Sequence, residues 1–180
     1  NGLYFNVTNE NKTNIVTLVG TDGHRLAKFS HKIDGETNQV SGVIIPKKTI
    51  YELSKLLSEI DIDIKISISS NKIIFTIDNI IFISKLIDGS FPDYKRVIPN
   101  DNSNILMINR AKLLSAVDRV STIANEKSPV IKFKLLKNIL NLNTINNESS
   151  TASEDVTINY DGDEIEIGFN SKYIMDILNN

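Results

Sequence analysis

The sequence predicts an α+β protein in which one β-α-β-β-β unit is used twice, and three observations carry that prediction. Ile60, Ile62, Ile64, Ile66 and Ile68 alternate with Asp61, Asp63, Lys65 and Ser67, the pattern of a sheet with one dry face. Ile50, Leu53, Leu56 and Leu57 instead recur at helical spacing. The order strand, helix, three strands then appears in the first half and again in the second, the mark of an internal structural repeat.

Taken in order, Leu3 to Val7 reads as a strand and Asn9-Glu10-Asn11-Lys12 as a turn. Asp22-Gly23 lies between the β-prone runs Asn14–Val19 and Leu26–Phe29, a strong hairpin signal. His24 and Arg25 should leave that turn on a strand and point to opposite faces. Asp34 to Asn38 makes the next loop, Gln39 to Ile45 returns as a strand, and Pro46 opens a helix, as proline can at a first helical position. The Ile60–Ile68 run, Lys72–Ile77 and Ile80–Leu86 form a three-strand meander joined by Ser69-Ser70-Asn71 and Asp78-Asn79.

Asp88 to Pro99 breaks this regularity with two prolines and a glycine, which places a domain boundary just after it and predicts domains 1–99 and 100–180. Its Phe91 and Tyr94 either anchor a linker or belong to a binding loop. In the second half Ile105–Ile108 is expected as a strand. Asn109 should cap a helix to about Ala124 with Leu113, Leu114, Val117 and Val120 inward. Strands are predicted at Val130–Leu136, Ile139–Thr144 and Val156–Tyr160, with Asn146–Glu154 as a polar loop. Tyr160-Asp161-Gly162-Asp163 reads as a second hairpin turn leading to Glu164–Phe169, and Asn170-Ser171 as the cap of a helix carrying Tyr173, Ile174, Ile177 and Leu178.

Composition narrows the function classes. A hydrophobic fraction of 41% and a charged fraction of 23% are those of an ordinary globular chain. Without cysteine there is no disulfide framework, thiolate metal site or cysteine nucleophile, in keeping with a reducing compartment. Apolar runs are short and interrupted by Lys or Asp, and the first residues are unlike a signal peptide, so a cytoplasmic protein without a membrane span is expected. Since the chain opens without Met directly in a strand and closes inside a predicted helix, it is expected to be a piece of a longer polypeptide. The net charge of −2 argues against a protein that coats nucleic acid with a generally basic surface. Residues 1–99 carry 12 basic and 11 acidic side chains and residues 100–180 carry 8 and 11, so phosphate contact is expected in the first half.

The stretch Thr21-Asp22-Gly23-His24-Arg25-Leu26 has a binding-site composition. Asp22 and Gly23 either only make a turn beside an ordinary histidine, or Asp22 and His24 are half of an acid/base pair. The second alternative lacks a serine elbow or a cysteine as nucleophile. His31, the other histidine, has no carboxylate at a ligand spacing, and Asp161 with Asp163 lacks the remaining ligands of a calcium loop, so no metal is expected. Lys47, Lys48 and Lys55 lie off the apolar face of their helix; they form a solvated face or, at the helix start, meet phosphate.

Thr21-Asp22-Gly23-His24-Arg25-Leu26-Ala27, Ile45-Pro46-Lys47-Lys48, the run Ser84 to Pro99, Asn125-Glu126-Lys127 and Glu166-Ile167-Gly168-Phe169-Asn170 together resemble the family of bacterial sliding clamps, the beta subunits of DNA polymerase III. The resemblance spans nearly the whole chain, as most of the family's middle domain and part of its C-terminal domain. It implies the DNA-clamp fold: a ring of six similar domains from two subunits, with helices around a central hole and sheets outside. The implied function is that of a non-enzymatic processivity factor without cofactors that encloses double-stranded DNA independently of sequence. Lys47 and Lys48 would then meet the DNA backbone. A peptide pocket between the two domains would take short linear motifs of the polymerase catalytic subunit, clamp loader and repair proteins. Its wall here would include Thr21, Gly23, His24, Arg25, Leu26, Pro92, Arg96 and Val97. Thr122 and Ile123 would lie at the homodimer interface, with Thr122 polar where the family often has an apolar residue, and Ser128 stands where relatives can have an aromatic one. The alternative reading is a β-rich interaction scaffold with no DNA role.

Overall fold

Aromatic and apolar residues in β1 (Gly2–Glu10) face a β2 (Thr13–Thr21) rich in β-branched ones, and the two nine-residue strands pair antiparallel from Tyr4↔Val19 to Glu10↔Thr13. Their turn is only Asn11 and Lys12, both at positive φ (51° and 65°), the two-residue geometry that matches strand twist. β3 (Leu26–Ile33) continues from β2, and β4 (Val40–Pro46) pairs with β1 on the other side, giving the order β3-β2-β1-β4. The structure is a computed structural model describing residues 2–34, 37, 39–58, 61–125, 129–145 and 150–180. The loop expected at Asp34–Asn38 and the residues Glu126, Lys127 and Ser128 fall wholly or partly outside those described.

β4 runs straight into helix α1 (Lys47–Leu57), with Pro46 as the capping residue rather than the first helical one. β5 (Lys65–Ile68), β6 (Lys72–Ile77) and β7 (Ile80–Lys85) form the expected meander in the order β5-β6-β7. The long alternating strand from Ile60 is shorter than expected. Lys65 already pairs with Thr76, and β6 ends one residue later, before the Asp78-Asn79 turn, so it has no residue to set opposite Asp61–Asp63. Glu59 and Ile60 lie outside the described residues. Phe5, Val7, Ile45, Leu53, Ile73, Phe75 and Ile77 make one core from both sheets and α1. Thr49, buried on α1, shares a 2.6 Å hydroxyl–hydroxyl hydrogen bond with Ser84 of β7.

The chain divides into two compact units, Asn1–Ile98 and Pro99–Asn180. In the second, α2 (Arg110–Ser121) is capped by Asn109, whose side-chain oxygen accepts from the Lys112 amide at 3.1 Å. β8 (Val130–Leu136), β9 (Ile139–Ile145), β10 (Thr151–Thr157) and β11 (Ile165–Asn170) form a sheet in the order β10-β9-β8-β11. The closing helix α3 (Ser171–Asn179) is capped by Asn170 as expected, and Arg110 donates to the Leu178 carbonyl at 2.7 Å. Leu113, Ala116, Val117 and Val120 of α2 pack on Ile131, Phe133, Leu140 and Leu142.

Three expectations fail here, for reasons of topology. Ile105–Ile108 is not a strand: only Met107 bridges, to Asn159, which lies past the end of β10. Residues expected in a polar loop, Thr151–Glu154, instead belong to β10, while Ile158–Tyr160 do not. Tyr160–Asp163 is also no hairpin, since β10 and β11 sit at opposite edges. After Thr157 the chain crosses the end of the sheet, held by Asn138 of the β8–β9 turn, whose carbonyl accepts from the Ile158 amide and whose amide donates to the Tyr160 carbonyl. Ile158 and Tyr160 are thereby buried, and the Tyr160 hydroxyl donates to the Asp163 carbonyl. Among the described residues, no helix is long and apolar enough to cross a membrane.

Candidate functional site

The Thr21–Leu26 segment is a self-bonded loop. Asp22 Oδ1 accepts from the amides of His24 and Arg25, each at 3.0 Å, and its Oδ2 accepts from Arg25 Nε at 3.0 Å. Thr21 Oγ1 donates to the Arg25 carbonyl at 2.8 Å and accepts from the Gly23 amide at 3.2 Å. Gly23 takes φ +87°, which a side chain would resist. His24 and Arg25 therefore do not leave on a strand. The Asp22 side chain holds both in the loop, and β3 starts only at Leu26, opposite Thr21. The amides of His24, then of Arg25, lower the Asp22 pKa from 3.8 to about 2. So weak a base suits a loop-shaping carboxylate better than a proton acceptor at neutral pH. Gly23, His24 and Arg25 are exposed, and Thr21 and Leu26 are half-buried.

Pro92, Arg96 and Val97 belong to the same unit. Tyr94–Arg96 is a single 3-10 turn, with the Val97 amide donating to the Tyr94 carbonyl at 3.3 Å. Arg96 Nε contacts Asp93 Oδ2 at 2.9 Å, yet its side chain is 85% exposed, and Val97 beside it is 68% exposed. The segment is pinned by a residue that sequence reasoning missed. Tyr4 of β1 packs on Phe91 and Tyr94, with ring centroids 5.0 and 5.8 Å away. It pairs with Val19, two residues before Thr21. Its ring occupies space that a side chain at Gly42 would fill. The available signal was alternation: Phe5 and Val7 face the core, so Tyr4 lies on the other side of β1.

Lys47 and Lys48 are exposed in the first turn of α1. That turn has no acidic residue, and Pro46 provides no side-chain cap. Two cations at the positive end of a helix dipole oppose local stability. In the second unit Thr122 is exposed at the end of α2, its hydroxyl donating to the Asp118 carbonyl at 3.1 Å, and Ile123 beside it is half-buried. Nearby on α2, Arg119 makes two hydrogen bonds to Glu154 of β10. These bonds lower the Glu154 pKa and raise that of Arg119. A cleft of about 460 Å³ between α2 and β10 is lined by Lys112, Ser115, Arg119, Glu154, Asp155 and Thr157, none of them a residue singled out from the sequence. Among the described residues, no three His, Asp or Glu side chains gather as a metal site.

Residues 1–93 match the family described as DNA polymerase III beta subunit, central domain, and residues 95–180 match its C-terminal domain. The Beta sliding clamp of Caulobacter vibrioides is 40% identical over 177 residues, covering 98% of this chain and 48% of that protein. That of Haemophilus influenzae is 39% identical over 179 residues, covering 99% and 48%. Among solved structures, the sliding clamp of Bartonella birtlesii bound to griselimycin is 43% identical with a TM-score of 0.93, covering 99% of this chain and 48% of that one. The units therefore have the α+β fold of clamp domains. The chain belongs to the DNA polymerase III beta subunit family, and it spans about half the length of the curated relatives it matches.

Proposed function

We propose that the two units are the central and C-terminal domains of a ring-forming subunit that encloses double-stranded DNA and acts, without catalysis of its own, as a cytoplasmic processivity factor. The observation that carries this reading is the consecutive match of both units to the two clamp domains. The first turn of α1 supports it. Lys47 and Lys48 stand where helix stability favours acid, a local conflict expected of a functional site. Sequence-blind phosphate contact accounts for them, and enclosure accounts for a binder of net charge −2 that needs no uniformly basic surface.

In the same reading, Thr21, Gly23, His24, Arg25, Leu26, Pro92, Arg96 and Val97 take short peptides of a polymerase, clamp loader or repair protein. Leu26, Pro92 and Val97 receive the apolar anchors, and Arg25 and Arg96 meet peptide carbonyls or carboxylates. Thr122 and Ile123, at the end of α2, contribute to homodimer closure.

Two measurements on the full-length protein test the proposal. Leu26→Ala and Arg96→Ala should each weaken a fluorescent peptide ending in Leu-Phe by about fivefold or more while the melting temperature holds; unchanged affinity in both removes the pocket. Lys47→Glu with Lys48→Glu should lower affinity for duplex DNA and flatten its salt dependence. A ring that binds duplex as before with both lysines reversed would instead favour the interaction scaffold.

A further inference from the structure

The exposed side of α1 does not end at its first turn. Lys48, Tyr51 and Lys55 follow at spacings of three and four residues, so they form one stripe along the helix. Tyr51 is 57% exposed, a large ring left in water. The Lys55 ammonium sits over that ring, 4.0 Å from its centroid. Its carboxylate neighbour, Glu52, is at 3.9 Å, too far for a short hydrogen bond, and Lys55 stays 54% exposed.

The second unit gives the contrast. Shifted by 64 residues, the burial pattern of α1 falls on that of α2, with Lys48 on Lys112, Tyr51 on Ser115 and Lys55 on Arg119. At the last of these positions α2 has an arginine taken by both oxygens of Glu154. In α1 the matching cation rests on an aromatic face, which orients an ammonium without neutralising it, and its ion pair with Glu52 is long at 3.9 Å and solvent-exposed. From Lys48 to Lys55 the helix rises about 10 Å, a length over which one strand of duplex DNA sets out about three phosphates.

We infer that α1 contacts the duplex along the whole Lys48–Tyr51–Lys55 stripe, with Lys55 meeting a backbone phosphate and Tyr51 acting as the positioning residue that holds its ammonium outward. The inference rests on the DNA-enclosing reading and adds to it a second contact two turns along the helix. The occupant is the phosphate backbone, because the stripe is cationic and its single ring carries an ammonium over one face.

The test is binding of a short blunt duplex to the full-length protein across a NaCl series. Lys55→Gln should reduce the slope of log affinity against log salt by about 0.9 for each subunit whose Lys55 meets a phosphate, and Lys55→Arg should restore it. Tyr51→Leu should lose part of that slope and Tyr51→Phe should keep it, since the ring face and not the hydroxyl holds the ammonium. Both positions are exposed, so melting temperatures should match the parent, a check that separates contact from folding. An unchanged slope in Lys55→Gln, or Tyr51→Leu behaving as Tyr51→Phe, overturns the inference. The Lys47→Glu, Lys48→Glu protein separates the two readings. If its slope falls while that of Lys55→Gln does not, only the extended stripe is wrong; if neither moves, DNA enclosure itself is.

Discussion

Helices α1 and α2 are two solutions to one packing problem. Thr49 and Leu53 in α1 are buried where Leu113 and Val117 are buried in α2. The first helix, however, uses a hydroxyl bridge to Ser84 at a position that the second fills with leucine. Their ends differ as well: α2 has an asparagine cap and α1 has none. The repeat thus preserves which faces are dry and lets the exposed side and the cap diverge. Burial is the conserved constraint between the units, and surface chemistry is where they separate.

The largest test of that equivalence is the shared buried position. Leu53→Ala should cost about 2–5 kcal/mol in urea unfolding, whereas a change within about 0.5 kcal/mol would place it with surface sites. Next comes the difference in bonding: Thr49→Val should cost about 1 kcal/mol by breaking the hydroxyl pair, and a neutral or stabilising result would mean that the bridge is dispensable. Removing the cap with Asn109→Ala should likewise cost about 1 kcal/mol, with no counterpart to lose at Pro46. Smaller and of opposite sign, Lys47→Glu should stabilise α1 by about 0.3–1 kcal/mol while weakening duplex binding. A variant that lost both stability and binding would break the link drawn between that unfavourable charge and function.

The smallest effects are titrations. Asp22 and Glu154 both have pKa values lowered in the fold, so each stabilises above its unfolded value and that contribution disappears as pH falls through the folded one. For Asp22 the window runs from 3.8 down to about 2. Carboxyl NMR should find its midpoint near the lower end, and Glu154 below 4.5. A midpoint for Asp22 at the ordinary value would contradict the amide bonds of the loop.

Much of this was legible in the sequence because it is local. Asn109 and Asn170 cap the helices that their positions announce, and the Asp22-Gly23 turn joins β2 to β3. What was not legible depends on partners distant in the chain. Asp61–Asp63 alternate as well as Lys65–Ile68, but β6 is too short to pair with them. Asp161-Gly162 resembles a hairpin turn, although the strands on either side lie at opposite edges of their sheet. For the candidate site, the residues of the Thr21–Leu26 loop were readable from composition. Tyr4 was not, because its role comes from packing against Phe91 and Tyr94 nearly ninety residues later.

The bonds that Thr21 and Asp22 make in this loop fall within five consecutive residues. Its conformation is consequently preorganised. A visitor docking against Gly23, His24 and Arg25 meets a surface already fixed, so little ordering entropy is lost on that side of the encounter.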